Sequence, residues 1–122
     1  MTQQPEDEER EERIAMEIIV DAYDAEEQAM GWYYYLEGKL QFPFTARCIA
    51  RRAISPLEPG DEVEVVGMVP VEEIRHDMFV LIKWGSRPLG VPLMQLEGIK
   101  VDEETQQAIE DWHYWVDQGY EL

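Results

Sequence analysis

Four consecutive aromatic residues, Trp32-Tyr33-Tyr34-Tyr35, constrain the fold of this chain more than any other feature. Successive side chains point about 100° apart around a helix and to opposite faces of a strand, so no regular element can set four adjacent rings on one surface. Some of them must meet a second surface. The run lies inside Asp21 to Phe44, DAYDAEEQAMGWYYYLEGKLQFPF, which also carries five carboxylates. Asp24 followed three places later by Glu27 has the form of a capping box, in which each side chain accepts a backbone N–H at a helix start. A helix is therefore expected from there to about Lys39 or Leu40. Phe42-Pro43-Phe44 closes it, because the residue before a proline avoids the helical region. Gly31 in the helix interior costs about 1 kcal/mol relative to Ala, which suggests that another segment packs closely there.

Residues 1–8, MTQQPEDE, are polar and acidic and are expected to be disordered. A first helix is expected from about Glu9 to Ala22 or Tyr23, with Ile14, Met16, Ile19, Val20 and Tyr23 forming its apolar stripe. After Pro43 the period changes to two. Ala46, Cys48 and Ala50 then face one side of a strand and Arg47, Ile49 and Arg51 the other, up to Ile54. Ser55 to Gly60 reads as a turn and Asp61 to Met68 as a second strand with Val63 and Val65 on one face. Val69 to Asp77 reads as an acidic loop and Met78 to Trp84 as a third strand. Gly85-Ser86-Arg87 makes a tight hairpin into a fourth strand, Pro88 to Leu93. Met94-Gln95-Leu96 is expected to be a helical turn before a last short strand at Glu97-Gly98-Ile99. A third helix starts at Asp102, turns Ala108, Ile109, Trp112, Trp115 and Val116 inward, and is closed by Gly119.

The pattern predicts an α+β fold: a small SH3-like β-barrel of about five short strands, preceded by two helices and followed by a C-terminal helix. A barrel would leave no exposed sheet edges. With 122 residues the chain can bury one modest core, so residues 1–122 are read as a single domain.

Twenty-seven carboxylates against ten Lys and Arg give a formal charge of −17, which repels nucleic-acid phosphates and anionic lipid and attracts cations and basic partners. Neither nucleic acid nor membrane is an expected partner. The acid is unevenly placed, with eleven acids and two bases in residues 1–30 and seven acids and no base in residues 102–122. No apolar run reaches membrane-spanning length and the N-terminus lacks the basic start of a secretory signal. A cytoplasmic monomer is expected. Cys48, the only cysteine, can form no internal disulfide and reads as a small core residue. With one cysteine and two distant histidines, His76 and His113, the ligand clustering that zinc requires is missing. Nucleophile elbows and phosphate-binding glycine patterns are missing as well, and paired-carboxylate hydrolysis would need a substrate cleft. A non-enzymatic role is expected.

Oxygen-rich cation binding fits what is left. Calcium takes six to eight oxygens from carboxylates, carbonyls and water. Carboxylates gather at Asp21, Asp24, Glu26 and Glu27 between the first two helices, at Glu37 beside Gly38, and at Glu72, Glu73 and Asp77 in the acidic loop. An EF-hand loop does not fit, because Glu26 stands where a loop beginning at Asp21 needs glycine. The plainer readings are that Asp21 and Asp24 are helix caps worth about 1 kcal/mol each, that the loop acids are solvated surface, and that the rings are packing. A second functional reading is a protein-interaction module whose acidic surface attracts a basic partner. An exposed ring among Trp32, Tyr34, Trp112 and Trp115 would support that reading.

The string MEIIVDAYDAEEQAMGWYYYLEGKLQFPFTARCIARRAISPLEPGDEVEVVGM, followed by MFVLIKW, VPLMQLEGI and AIEDWHYWVDQGYEL, resembles the cyanobacterial-type calcium-binding family typified by CcbP. The likeness spans about residues 13 to 121. It implies a small acidic cytoplasmic protein that binds Ca2+ without an EF-hand and serves as a calcium buffer or signalling component. Many family members carry Asp after the run that reads YYYLE here, where this chain has Gly38; there the resemblance leaves a backbone carbonyl in place of a carboxylate. The expected metal ligands are Asp21, Asp24, Glu27, Glu37, Glu72, Glu73 and Asp77.

Overall fold

A computed structural model describes residues 7–73 and 77–120, with the side chain of Glu73 excepted. Residues 1–6, most of the segment expected to be disordered, lie outside the described residues, as does His76. The described residues form three α-helices and a five-stranded antiparallel sheet. None of the described helices is long and apolar enough to cross a membrane.

Helix α1 spans Glu8–Arg13, capped by the Asp7 side chain, which accepts from the Arg10 amide. It runs directly into a π-turn at Ile14–Ile18. The expected stripe is therefore corrected. Ile14 and Ile18 are buried, whereas Met16, Val20 and Tyr23 are 65%, 49% and 87% exposed. Helical winding stops at Ile18 rather than near Tyr23, and Asp21 at φ 60° reverses the chain. Residues after the π-turn thus leave the helical phase that the periodicity assumed.

Helix α2 spans Ala25–Lys39 with Asp24 as its cap. Asp24 Oδ1 accepts from the Glu27 amide at 2.9 Å, and Glu27 Oε1 accepts from the Tyr23 amide, one residue outside the usual reciprocal pair. Gly31 lies where α2 crosses the π-turn, and a Cβ there would collide with the Ile18 carbonyl oxygen. The glycine is required by close approach, not by turn geometry.

Helix α3 spans Glu103–Asp117, with the Asp102 side chain capping its start. It buries Ala108, Ile109, Trp112 and Trp115 as expected, and also Thr105, Asp111 and Tyr114. The four-ring run is partitioned among surfaces. Trp32 is fully buried, edge to face with Trp112 at 5.0 Å and 5.5 Å from Trp115. Tyr35 donates to Asp111 on α3 at 2.7 Å. Tyr33 is buried, while Tyr34 is 53% exposed.

The strands are β1 Phe44–Cys48, β2 Glu62–Met68, β3 Phe79–Trp84, β4 Arg87–Pro92 and β5 Leu96–Ile99, in the order β4-β3-β2-β1-β5. The sheet is open, which corrects the expected barrel: among the described residues β4 and β5 do not pair. Buried side chains of the sheet and of α2 and α3 form one cluster. The helices thus cover the apolar face, and the sheet need not curl on itself to bury it. Edge strand β4 begins at Arg87-Pro88 and ends at Pro92, residues that blunt an exposed edge.

Strand β1 ends at Cys48 instead of continuing to Ile54. Ile49 N donates to Gln95 O and the Gln95 side chain donates to Ala50 O at 3.0 Å, which turns the chain out of the sheet. Fully buried Leu57 anchors the resulting loop, leaving Ile49 and Ile54 exposed. In β2 a bulge between Val65 and Gly67 shifts the phase, so Val63, Val65 and Met68 share the buried side. Two residues, Gly85 and Ser86, join β3 to β4, with Gly85 at φ 62°.

Candidate functional site

The carboxylates singled out from sequence fall into three places, and the structure gives each place different work. At the α1–α2 junction Asp21, Asp24, Glu26 and Glu27 are exposed. Asp24 and Glu27 each hold a backbone amide there, which is the capping role. Asp77 is half-buried. Its Oδ1 accepts from the Met78 amide at 2.8 Å and its Oδ2 pairs with Arg52 at 3.4 Å. Loss of water holds its carboxyl above the usual carboxylate range, against the pull of the Met78 amide and the Arg52 charge. Both oxygens of Asp77 already have donors.

At the third place two candidates influence one buried group. Glu37 sits near the C-terminal end of α2, and Glu72 in a single 3-10 turn, Val71–Glu73, between β2 and β3. The two lie 35 residues apart in sequence, yet both act on the phenol of Tyr33. Burial holds that phenol above the ordinary tyrosine range first, and the charges of Glu37 and Glu72 raise it further, with a contribution from Tyr34. Glu37 and Gly38 are exposed, and a Cβ on Gly38 would meet nothing within 4 Å. Solvent and an ion can reach this end of the helix. The side chain of Glu73 lies outside the described residues. The α1–α2 junction stands at the opposite end of α2, with its cap Asp24 about 20 Å from Glu37 at 1.5 Å per residue. Among the described residues, no three His, Cys, Asp or Glu side chains already stand together as a metal cluster.

Asp111 was missed by sequence reasoning. It is fully buried on α3 and accepts a forked pair of bonds from Arg13, at 3.1 Å and 2.7 Å, and one from the Tyr35 hydroxyl. Arg10 Nε lies 3.2 Å away as an ion pair without hydrogen-bond alignment. The Asp111 carboxylate keeps Arg13 firmly protonated and holds the Tyr35 phenol, already raised by burial, well above its ordinary range. An aspartate inside an aromatic helical stripe, with Arg10 and Arg13 three apart on a distant helix, was the available signal. With three hydrogen bonds and a further ion pair reaching it from arginine and tyrosine, Asp111 clamps α1 and α2 to α3.

Together, the open sheet, the three-helix cover and the exposed carboxylates at both ends of α2 describe a small acidic α+β protein. A family model described as "Calcium binding", that of CcbP, matches residues 12–116. The chain belongs to this CcbP-type calcium-binding family. The crystal structure of Anabaena CcbP is similar at 44% identity with a TM-score of 0.87, covering 100% of both chains. A structure of a calcium binding protein in its calcium-binding form is similar at 43% identity with a TM-score of 0.84, covering 95% of each chain. Comparison with curated proteins returned no match.

Proposed function

We propose that this protein binds Ca2+ without an EF-hand, through Glu37 and Glu72 where α2 meets the β2–β3 connection, and works as a cytoplasmic calcium buffer or signalling component. The observation that carries this reading is that exposed Glu37 and Glu72, from distant segments, both reach the Tyr33 phenol electrostatically. Family membership supplies the ion. The donor set fits calcium: carboxylates are hard oxygen ligands, and the flexible coordination of calcium accepts carbonyls, such as that of Gly38, and water for the rest. Magnesium demands stricter octahedral geometry and sheds water reluctantly, so two carboxylates on separate segments favour calcium. Without a cation the two like charges disfavour each other. Binding relieves that repulsion and ties α2 to the β2–β3 connection.

Calcium titration followed by amide chemical shifts tests the reading. Shifts are expected to concentrate around Tyr33–Gly38 and Val71–Glu73, and to be smaller with magnesium. Glu72→Gln should lower calcium affinity about tenfold, as loss of one charged ligand costs about 1.4 kcal/mol or more, and should let the Tyr33 phenol titrate at lower pH. Saturating calcium at a hundred times its dissociation constant should add about 2.7 kcal/mol of stability, with a larger effect at low salt. Uniform shifts of equal size with magnesium would sink the proposal.

A further inference from the structure

A cavity of about 260 Å³ opens among the helices, lined by Ile14, Ala15 and Ile19 from the first helical segment, Gln28 from α2 and Trp115 from α3, together with Glu11 and Tyr120. Ile14 and Trp115 are buried members of the core, whereas Ala15 is exposed. The Tyr120 ring stacks on Trp115 at 5.5 Å and remains 46% exposed. The volume falls below the roughly 300 Å³ at which small-molecule pockets begin. It suits one large apolar side chain better than a metabolite. The backbone around it includes the π-turn Ile14–Ile18, a winding often kept at functional sites despite its poorer geometry. The same segment exposes Met16, Val20 and Tyr23, and such apolar exposure marks contact surfaces.

The charge around this cavity selects the partner. Residues 1–30 and 102–122, which supply α1, the π-turn, the start of α2 and α3, hold eighteen acids and two bases. Both bases are already engaged: Arg13 is forked onto Asp111, and Arg10 pairs with Asp111 and Glu110. Glu11 at the cavity accepts from the Tyr114 hydroxyl and keeps its charge facing out of the core. Anionic lipid, nucleic acid and a second copy of this chain would all meet like charge here.

We propose that this cavity is the docking site for a basic amphipathic segment of a partner protein, with an apolar anchor entering beside Trp115 and lysines or arginines meeting the surrounding carboxylates. An amphipathic helix presented to an apolar recess is a recurring mode of peptide recognition. The site is separate from Glu37 and Glu72 and does not depend on calcium.

A synthetic Leu/Lys peptide patterned as an amphipathic helix, and a scrambled peptide of the same composition, would be titrated in EDTA by calorimetry and amide shifts. The patterned peptide is expected to bind about tenfold tighter than the scrambled one, as a filled anchor pocket implies, with shifts centred on Ile14, Ala15, Ile19 and the Trp115 indole. Ala15→Trp fills the cavity and should weaken the patterned peptide about tenfold by blocking its anchor, leaving the circular dichroism spectrum and the calcium titration unchanged. Should Ala15→Trp disturb folding, Tyr120→Ala removes the exposed stacked ring and should weaken the same peptide selectively. Equal binding of both peptides, or shifts centred elsewhere, would overturn the proposal. Dimerisation on sedimentation without peptide would assign the cavity to a second copy and overturn it equally.

Discussion

The helical layer and the sheet handle charge in opposite ways. Residues 1–30 and 102–122 carry a formal −16 of the chain's −17, so the segment between them is close to neutral. In that middle segment cations meet carboxylates of their own region: Lys83 with Glu64, Arg47 with Glu97, Arg51 with Glu58 and Arg52 with Asp77. Arg47 and Glu97 are direct cross-strand partners in the β1–β5 register, so the sheet specifies its own neutralisation through pairing. In the helical layer both N-terminal arginines converge on the single buried carboxylate of Asp111. The sheet neutralises most of its charge locally. On the helices Glu104 pairs with Lys39 and Glu110 with Arg10, but exposed acids far outnumber bases there.

The strongest test of this contrast is Asp111→Asn. It leaves two arginines and the Tyr35 hydroxyl facing a neutral amide at a fully buried position, and breaking a buried ion pair typically costs 3–5 kcal/mol. A loss of about 3 kcal/mol in urea unfolding is expected, since the arginines keep partial solvent contact. A loss below about 1 kcal/mol, the range of surface pairs, would mean that the clamp is no different from the pairs on the sheet. Next comes Gly31→Ala, which forces a methyl against the Ile18 carbonyl and should cost about 2 kcal/mol by overpacking. Gly38→Ala in the same helix meets no neighbour and should instead gain up to about 1 kcal/mol from helix propensity.

These two glycines show what could be read from sequence. A glycine inside a capped helix announces a local cost, and at Gly31 the expected close packing is there; at Gly38 there is only open space. Boundaries set by caps and prolines were legible for the same reason: Asp24, Asp102 and Pro43 act through neighbours three residues away or fewer. The end of the first helix was not legible, because the π-turn depends on α2 crossing at Gly31, a contact that periodicity cannot see. Nor was the open sheet, since β strands of the right number and length do not say whether a helix or another strand will cover them. Of the candidate ligands, Asp24 and Glu27 have local capping roles visible in the sequence. The shared influence of Glu37 and Glu72 on Tyr33 comes from the tertiary fold alone, and so does the arginine pair on Asp111.

His113 joins the two regions. It lies on α3, and its Nε2 is 3.1 Å from the Leu93 carbonyl at the end of β4. A carbonyl only accepts, so Nε2 carries the proton in the neutral ring and Nδ1 is the atom that would gain one. Burial lowers its pKa, outweighing the Leu93 bond and the charges of Asp117, Glu110 and Glu97. A histidine with a depressed folded-state pKa adds stability above the unfolded value of about 6.5, and that stability is lost as pH falls through the folded value. Melting temperature should therefore decline on acidification below about pH 6.5. His113→Gln, which can still donate to Leu93, should flatten that part of the curve. An unchanged slope would assign the decline to carboxylates of the helical layer instead.

The smallest effect is expected on the sheet. Glu64→Gln removes one partner of Lys83 at 3.6 Å, where both side chains are well exposed at 41% and 72%. Such pairs contribute about 0.3 kcal/mol, because solvent screens the attraction and two long side chains must be ordered to make it. Urea unfolding should barely move, and a double-mutant cycle with Lys83→Met should return a coupling of the same small size. Calcium titration should be unchanged as well, since Glu64 faces a cation of its own. A coupling near that of Asp111 with Arg13 would break the contrast, showing that the sheet depends on its charge pairs as the helices do. A change in calcium affinity without a change in stability would break it differently, by extending the acidic seam at Glu37 and Glu72 across the outer face of the sheet.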